Sequence, residues 1–146
     1  MTEVARVLGI DFGERRIGIA LSDPTRTIAQ PHATLVRRRR KRPPVAKILH
    51  IMVTEDIDTV VLGLPLSLDG DEPEWAAQVR DFGDSIARRS GRPVEYVDER
   101  FSSVLAERAV RSLGLPRAER ERKERIDAAA AAIILQTYLD RAKESN

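Results

Sequence analysis

The stretch "VLGIDFGERRIGIA", Val7 to Ala20, decides the fold. Val7 to Ile10 reads as a buried strand, and Ile17 to Leu21 as another. The short "GERR" connection makes the pair, Val7–Phe12 and Arg16–Ser22, an antiparallel hairpin. Asp11 ends the first apolar run, with Gly13 close behind it. An unpaired carboxylate in such a place costs several kcal/mol of desolvation. Either Asp11 bonds to the backbone of a local turn, or it has a charged partner elsewhere in the chain.

Working outward, "TLV" (Thr34–Val36) suggests a third, short strand. The cation run Arg37, Arg38, Arg39, Arg40, Lys41, Arg42 and two prolines follow, a loop by like-charge repulsion and proline geometry. It is either a solvated loop or a phosphate-binding arm whose contacts would add salt dependence. Val45 to Glu55 carries apolar residues at helical spacing, and Asp58–Gly63 is a compact β-branched strand suited to a sheet centre. After a loop from Leu64 to Pro73, a helix is expected over Glu74–Ser90, a strand over Val94–Val97 and a helix capped by Ser102 or Ser103 that stops near Gly114. A last helix should run from about Pro116 to about Lys143. Hairpin, strand, then αβαβαα predicts one α/β domain over residues 1–146, with a mixed sheet, a basic loop at 37–44 and a frayed tail at 140–146.

At 146 residues the chain has room for one core. Apolar residues at 42% and charged residues at 33% are those of an ordinary globular protein. The pI of about 9.3, against a net charge of +2, reflects cations dominated by arginine. Absence of cysteine excludes disulfides, thiolate catalysis and cysteine-held metals. No apolar run is long enough to span a bilayer, and "MTEVARVLGID" lacks the pattern of a secretory signal. A soluble cytoplasmic protein with no membrane partner is the expectation.

Two further acids stand in unusual places. Asp127, in "IDAAAAAIILQTYL", shares its helical face with Ala130, Ala131, Ile134 and Tyr138, so one carboxylate interrupts an apolar stripe. An acid stabilised by a helix N-terminus is the bland alternative, but "ERERKER" extends the helix upstream. Glu99 follows the strand Val94–Val97 at the end where α/β sheets place their sites, although Arg100 could simply pair with it or with Asp98. Three converging carboxylates repel, so some are protonated or a cation sits among them. With only His32 and His50 as other candidates, the donors would be all oxygen, which suits Mg²⁺ or Mn²⁺.

Together, "GIDFGERRIGIALSDP", "VVLGLPLSLDG", "VDERFSS" and "RIDAAAAAIILQTYL" resemble the successive motifs of the YqgF family, also called RuvX. "DFG" alone would be unspecific; the ordered set is not. The resemblance implies a ribonuclease H-like fold, a five-stranded mixed sheet with helices on both faces. It also implies that Asp11, Glu99 and Asp127 are catalytic and hold one or two Mg²⁺ or Mn²⁺ ions. The implied activity is phosphodiester hydrolysis leaving a 5′ phosphate and a 3′ hydroxyl. The substrate would be the 5′ end of pre-16S ribosomal RNA, or alternatively a four-way DNA (Holliday) junction. Gly63, Pro65 and Gly70 match the family's "GLP…DG" loop near the substrate, and Ser102 and Ser103 match a hydroxyl pair that could bond phosphate or cap a helix. Gly13, Arg15, Arg16 and Arg100 flank the motifs and could contact the substrate backbone, although pairing of the arginines with Asp98 or Glu14 is the dull alternative.

Two departures stand out. Related resolvases carry a second acid one helical turn after the last aspartate, where this chain has Ala130 and Ala131, and the basic run lies outside the family pattern. With aromatics at 4%, stacking platforms for bases are scarce. Shape and backbone recognition, of structured RNA rather than branched DNA, is expected, with pre-ribosomal particles as possible partners and a monomer or homodimer as the active form. The non-enzymatic rival is an RNA-binding assembly factor with a vestigial metal site. A sugar-kinase or actin-like ATPase, which shares the hairpin, would need two lobes that this length does not supply.

Overall fold

The computed structural model describes residues 5–38, 41–66, 69, 71–98 and 119–144, with side chains of the last stretch described from 125 onward. Five strands, β1 (Arg6–Phe12), β2 (Arg16–Ser22), β3 (Ala29–Val36), β4 (Ile57–Leu64) and β5 (Val94–Asp98), form one sheet in the order β3-β2-β1-β4-β5. The first three are antiparallel; β1 pairs with β4 and β4 with β5 in parallel. Three helices are seen among the described residues: α1 (Val45–Thr54), α2 (Glu74–Ser90) and α3 (Glu119–Glu144). No described helix is long and apolar enough to cross a membrane.

Strand alternation sorts the side chains onto two faces. Leu8, Ile10, Phe12, Ile17, Ile19, Val60 and Leu62 pack with Ile48 and Met52 of α1 and Val79, Phe82 and Ile86 of α2. Val7, Ala20, Val61 and Val97 take the other face, beneath Ala131, Ile134, Leu135 and Leu139 of α3. Helices on both faces explain why β1 and β4 read as nearly continuous apolar runs.

The alanine-rich stretch of α3 lies very close to the sheet. A Cβ added at Gly9 would stand 2.6 Å from Leu135 Cβ, and one at Gly18 would fall 1.9 Å from the carbonyl oxygen of Asp127. Only glycine fits beneath the helix at these two points.

The hairpin, α1, β4 and α2 form where the sequence places them, β4 running one residue further at each end. Two strand boundaries differ. The strand expected at Thr34–Val36 begins at Ala29. Its half-exposed "AQPHA" has weak strand character, but it is an edge that needs bonds on one side only. The register with β2 shifts between Ile19, opposite Ala33, and Ala20, opposite Pro31, so a bulge takes up His32. The Gln136 amide on α3 holds the start of the strand, accepting from Ala29 N at 2.9 Å and donating to Thr27 O at 2.9 Å. The last helix runs to Glu144, close to the expected end near Lys143. β5 includes Asp98. The expected Ser102–Gly114 helix lies outside the described residues.

Candidate functional site

Asp11 sits near the C-terminal end of β1. Alternation from Val7 and Gly9 puts it on the face that α3 covers. Its cross-strand partner on β2 is Gly18. On the other side Ile10 pairs with Leu62, which makes Gly63 the next residue of β4 alongside Asp11. Glycines on both flanks leave space around one carboxylate. Through the gap at Gly18 the backbone of Asp127 comes down onto the sheet.

The two aspartates, far apart in sequence, are therefore brought to neighbouring points on one face of the sheet. Burial, and secondarily the nearby Asp127 charge, push the Asp11 carboxyl up to about 6. Asp127 is engaged differently: Arg16 Nε donates to its Oδ2 at 2.6 Å, both side chains being partly exposed at 29% and 22%. Arg16 precedes Gly18 by two residues, so it shares the α3 face with Asp11. The sequence alone points to Asp98 or Glu14 as partners for the arginines and does not reveal this ion pair. The period of two along Arg16, Gly18 and Ala20 is the signal it does carry; only the depth of α3 reveals Asp127.

Gly13 closes the hairpin, its N–H donating to Arg16 O at 3.0 Å. Arg15 is exposed at the turn. Gly63 lies in β4 opposite Val97 on the α3 face, and Pro65 follows directly on β4. By alternation Asp98, after Val97, takes the α1/α2 face. Glu99, Arg100, Ser102, Ser103, Gly70, Arg39 and Arg40 lie outside the described residues.

The basic run is not one uniform arm: Arg37 is set apart from its exposed neighbours. Its N–H donates to Arg15 O at 2.8 Å and its Nη1 to Gly13 O at 2.9 Å. Its guanidinium lies 4.7 Å from the centroid of the Phe12 ring, which stacks on Trp75 and Phe82. Arg37 thus clamps the hairpin turn from the α1/α2 face. Arg38, Lys41 and Arg42 are exposed.

Among the described residues no group of three His, Cys, Asp or Glu side chains converges as a metal cage. Asp127 lies near enough for its charge to raise Asp11, and two neighbouring carboxylates with oxygen-only chemistry fit a hard divalent cation. An open groove of about 770 Å³ lies at the opposite end of the sheet, between Leu49, Met52, Val53, Arg89 and Arg92. It is remote from both aspartates.

Solved structures share this architecture. Thermus thermophilus RuvC in complex with a Holliday junction substrate superposes with a TM-score of 0.54 at 17% identity, covering 95% of this chain and 96% of that one. The fowlpox virus resolvase, solved with Holliday junction DNA, gives 0.58 at 11% identity, covering 94% and 98%. The fold is that of the ribonuclease H-like resolvases. The family model described as "RuvX: Holliday junction resolvase" matches residues 5–141. A protein of Maridesulfovibrio salexigens named "Putative pre-16S rRNA nuclease" is 43% identical over 137 residues, covering 94% of this chain and 99% of the relative. One of the same name from Anaplasma marginale is 44% identical over 138 residues, covering 94% and 86%. This chain belongs to the RuvX family.

Proposed function

We propose that this protein is a metal-dependent endonuclease that hydrolyses phosphodiester bonds and processes the 5′ end of pre-16S ribosomal RNA. The observation that carries the reading is the neighbouring placement of Asp11 and Asp127 at one end of a resolvase-type sheet, with glycine on both sides of Asp11. Relatives at 43% and 44% identity bear the name of that RNA nuclease. Glu99, which follows the last residue of β5, is proposed as the third ligand.

Asp11, Asp127 and Glu99 would hold one or two Mg²⁺ or Mn²⁺ ions. Such an ion, when bound, lowers the pKa of a coordinated water and offsets charge on the phosphate. The chain's own residues do the rest. β1 and α3 keep the two aspartates fixed against the sheet, and the Arg37 clamp holds the shape of the turn that carries Arg15. Arg15, Arg38, Lys41 and Arg42, all exposed, would bind backbone phosphates of a structured RNA. An edge site open to solvent suits a polymer backbone better than an enclosed pocket would.

The second reading, hydrolysis of four-way DNA junctions, is favoured by the family model's description and by the two junction-bound structures of the same fold. The test sets a precursor 16S ribosomal RNA fragment beside a four-way DNA junction in Mn²⁺, with wild type against Asp127→Asn. RNA cleavage lost in the variant supports the first reading, and junction cleavage lost in the variant supports the second. If neither substrate is cut, or Asp127→Asn cuts as well as wild type, the catalytic reading fails and an RNA-binding assembly role takes its place.

A further inference from the structure

Arg16 stands where a cation ligand set would be expected to leave room. Its Nε donates to Asp127 Oδ2 at 2.6 Å, and it shares the α3 face with Asp11. Among the residues whose side chains are described, no other ion pair to either carboxylate is seen. The contact runs through Nε alone rather than through a two-pronged fork, so it is exchanged more easily than a bidentate pair. The Arg16 side chain is also partly exposed, at 29%.

We infer that Arg16 is a resident counter-ion that competes with the divalent cation for Asp127. Without the cation, the guanidinium neutralises Asp127 and limits the repulsion that Asp11 feels. With the cation bound, Asp127 no longer needs Arg16, and the guanidinium is released at the rim beside the exposed Arg15. There a phosphate oxygen of the nucleic acid is its natural partner. Arg16 acts through Asp127 and is a positioning residue. A merely structural ion pair would behave differently: its loss would lower stability and leave cation affinity unchanged or weaker. The inference rests on reading Asp127 as a cation ligand, and the two can fail separately.

The test measures Mn²⁺ binding alone, by the electron paramagnetic resonance of free Mn²⁺, to the full chain and four variants. Arg16→Gln should bind Mn²⁺ tighter by roughly five- to tenfold, because a competing positive charge is gone. Arg16→Lys, which keeps the charge, should stay within about twofold of wild type. Asp127→Asn should bind more weakly, and adding Arg16→Gln to it should bring no gain. An Arg16→Gln protein that binds no tighter than wild type overturns the inference. An Asp127→Asn protein that binds as well as wild type overturns the ligand reading instead. A second measurement needs no variant to fold: the Arg16 Nε–H resonance of the wild type should move toward its solvent-exchanging position as Mg²⁺ is added. A resonance that does not respond while Mg²⁺ binds also overturns the inference.

Discussion

Asp11 holds a charge against its surroundings. Its carboxyl is pushed from 3.8 up to about 6, by burial first and by Asp127 second. Since the folded-state value lies above the unfolded one, the folded protein binds the extra proton. Stability from this group is therefore full below about pH 4 and is lost as pH rises through 6. Asp11→Asn removes the ionised form. Without divalent cations at pH 7.5 it should be more stable than wild type by on the order of 2 kcal/mol in urea unfolding, with the difference closing toward pH 4. Cleavage should be lost in the same variant. A less stable Asp11→Asn would mean that the carboxylate already has a partner. In wild type, Mn²⁺ affinity should rise with pH through about 6, because the cation must displace the proton that Asp11 holds below that pH. A carboxylate that destabilises its own fold is a mark of a functional site, because packing alone would have selected a neutral residue.

α3 is the element on which the site depends. Its seat combines apolar contacts at Ala131, Ile134, Leu135 and Leu139 with a close backbone approach at Gly18. Two substitutions separate these contributions. Leu135→Ala, at a fully buried position, should cost roughly 2–5 kcal/mol in urea unfolding, yet leave Mn²⁺ affinity of the folded protein nearly intact. Gly18→Ala should cost roughly 1–3 kcal/mol and also weaken Mn²⁺ binding, since the new Cβ must lift Asp127 away from Asp11. Equal Mn²⁺ affinity in Gly18→Ala and wild type would show that the depth of the helix is irrelevant to the site. The segment before α1 makes a separate contribution. Replacing Arg38, Lys41 and Arg42 together by Gln should reduce the slope of log K against log salt for RNA by about 2, at roughly 0.7 for each phosphate no longer neutralised. An unchanged slope would mark these exposed cations as solvated only. Arg37 is unsuited to that experiment because it clamps the turn.

At the scale of the whole molecule, one chain offers one carboxylate edge. Symmetric resolution of a four-way junction needs two such edges, whereas trimming an RNA end needs one. Sedimentation of the protein with each substrate should find one chain per RNA fragment. Two chains per junction, with no complex on RNA, would favour the resolvase reading.

Much of this architecture is legible in the chain itself. β2 runs over Arg16–Ser22, and α2 over Glu74–Ser90, where alternation, helical period and the terminating Gly91 place them. Asp11 and Asp127 can be singled out because each breaks an apolar pattern that local chemistry does not explain. The edge strand is harder: Ala29 to Ala33 has little strand preference, and its pairing comes from β2 and from Gln136 on a distant helix. The sequence by itself determined the periodicities, hence the elements, their buried faces and the odd carboxylates, since these follow from side-chain order along a single element. Only the tertiary structure decided what those carboxylates face. How deeply α3 settles over Gly9 and Gly18, which guanidinium reaches Asp127 and which one turns back onto Phe12 depend on packing between segments far apart in the chain. Contact between such segments is set by the shape of the filled core, and no local pattern encodes it.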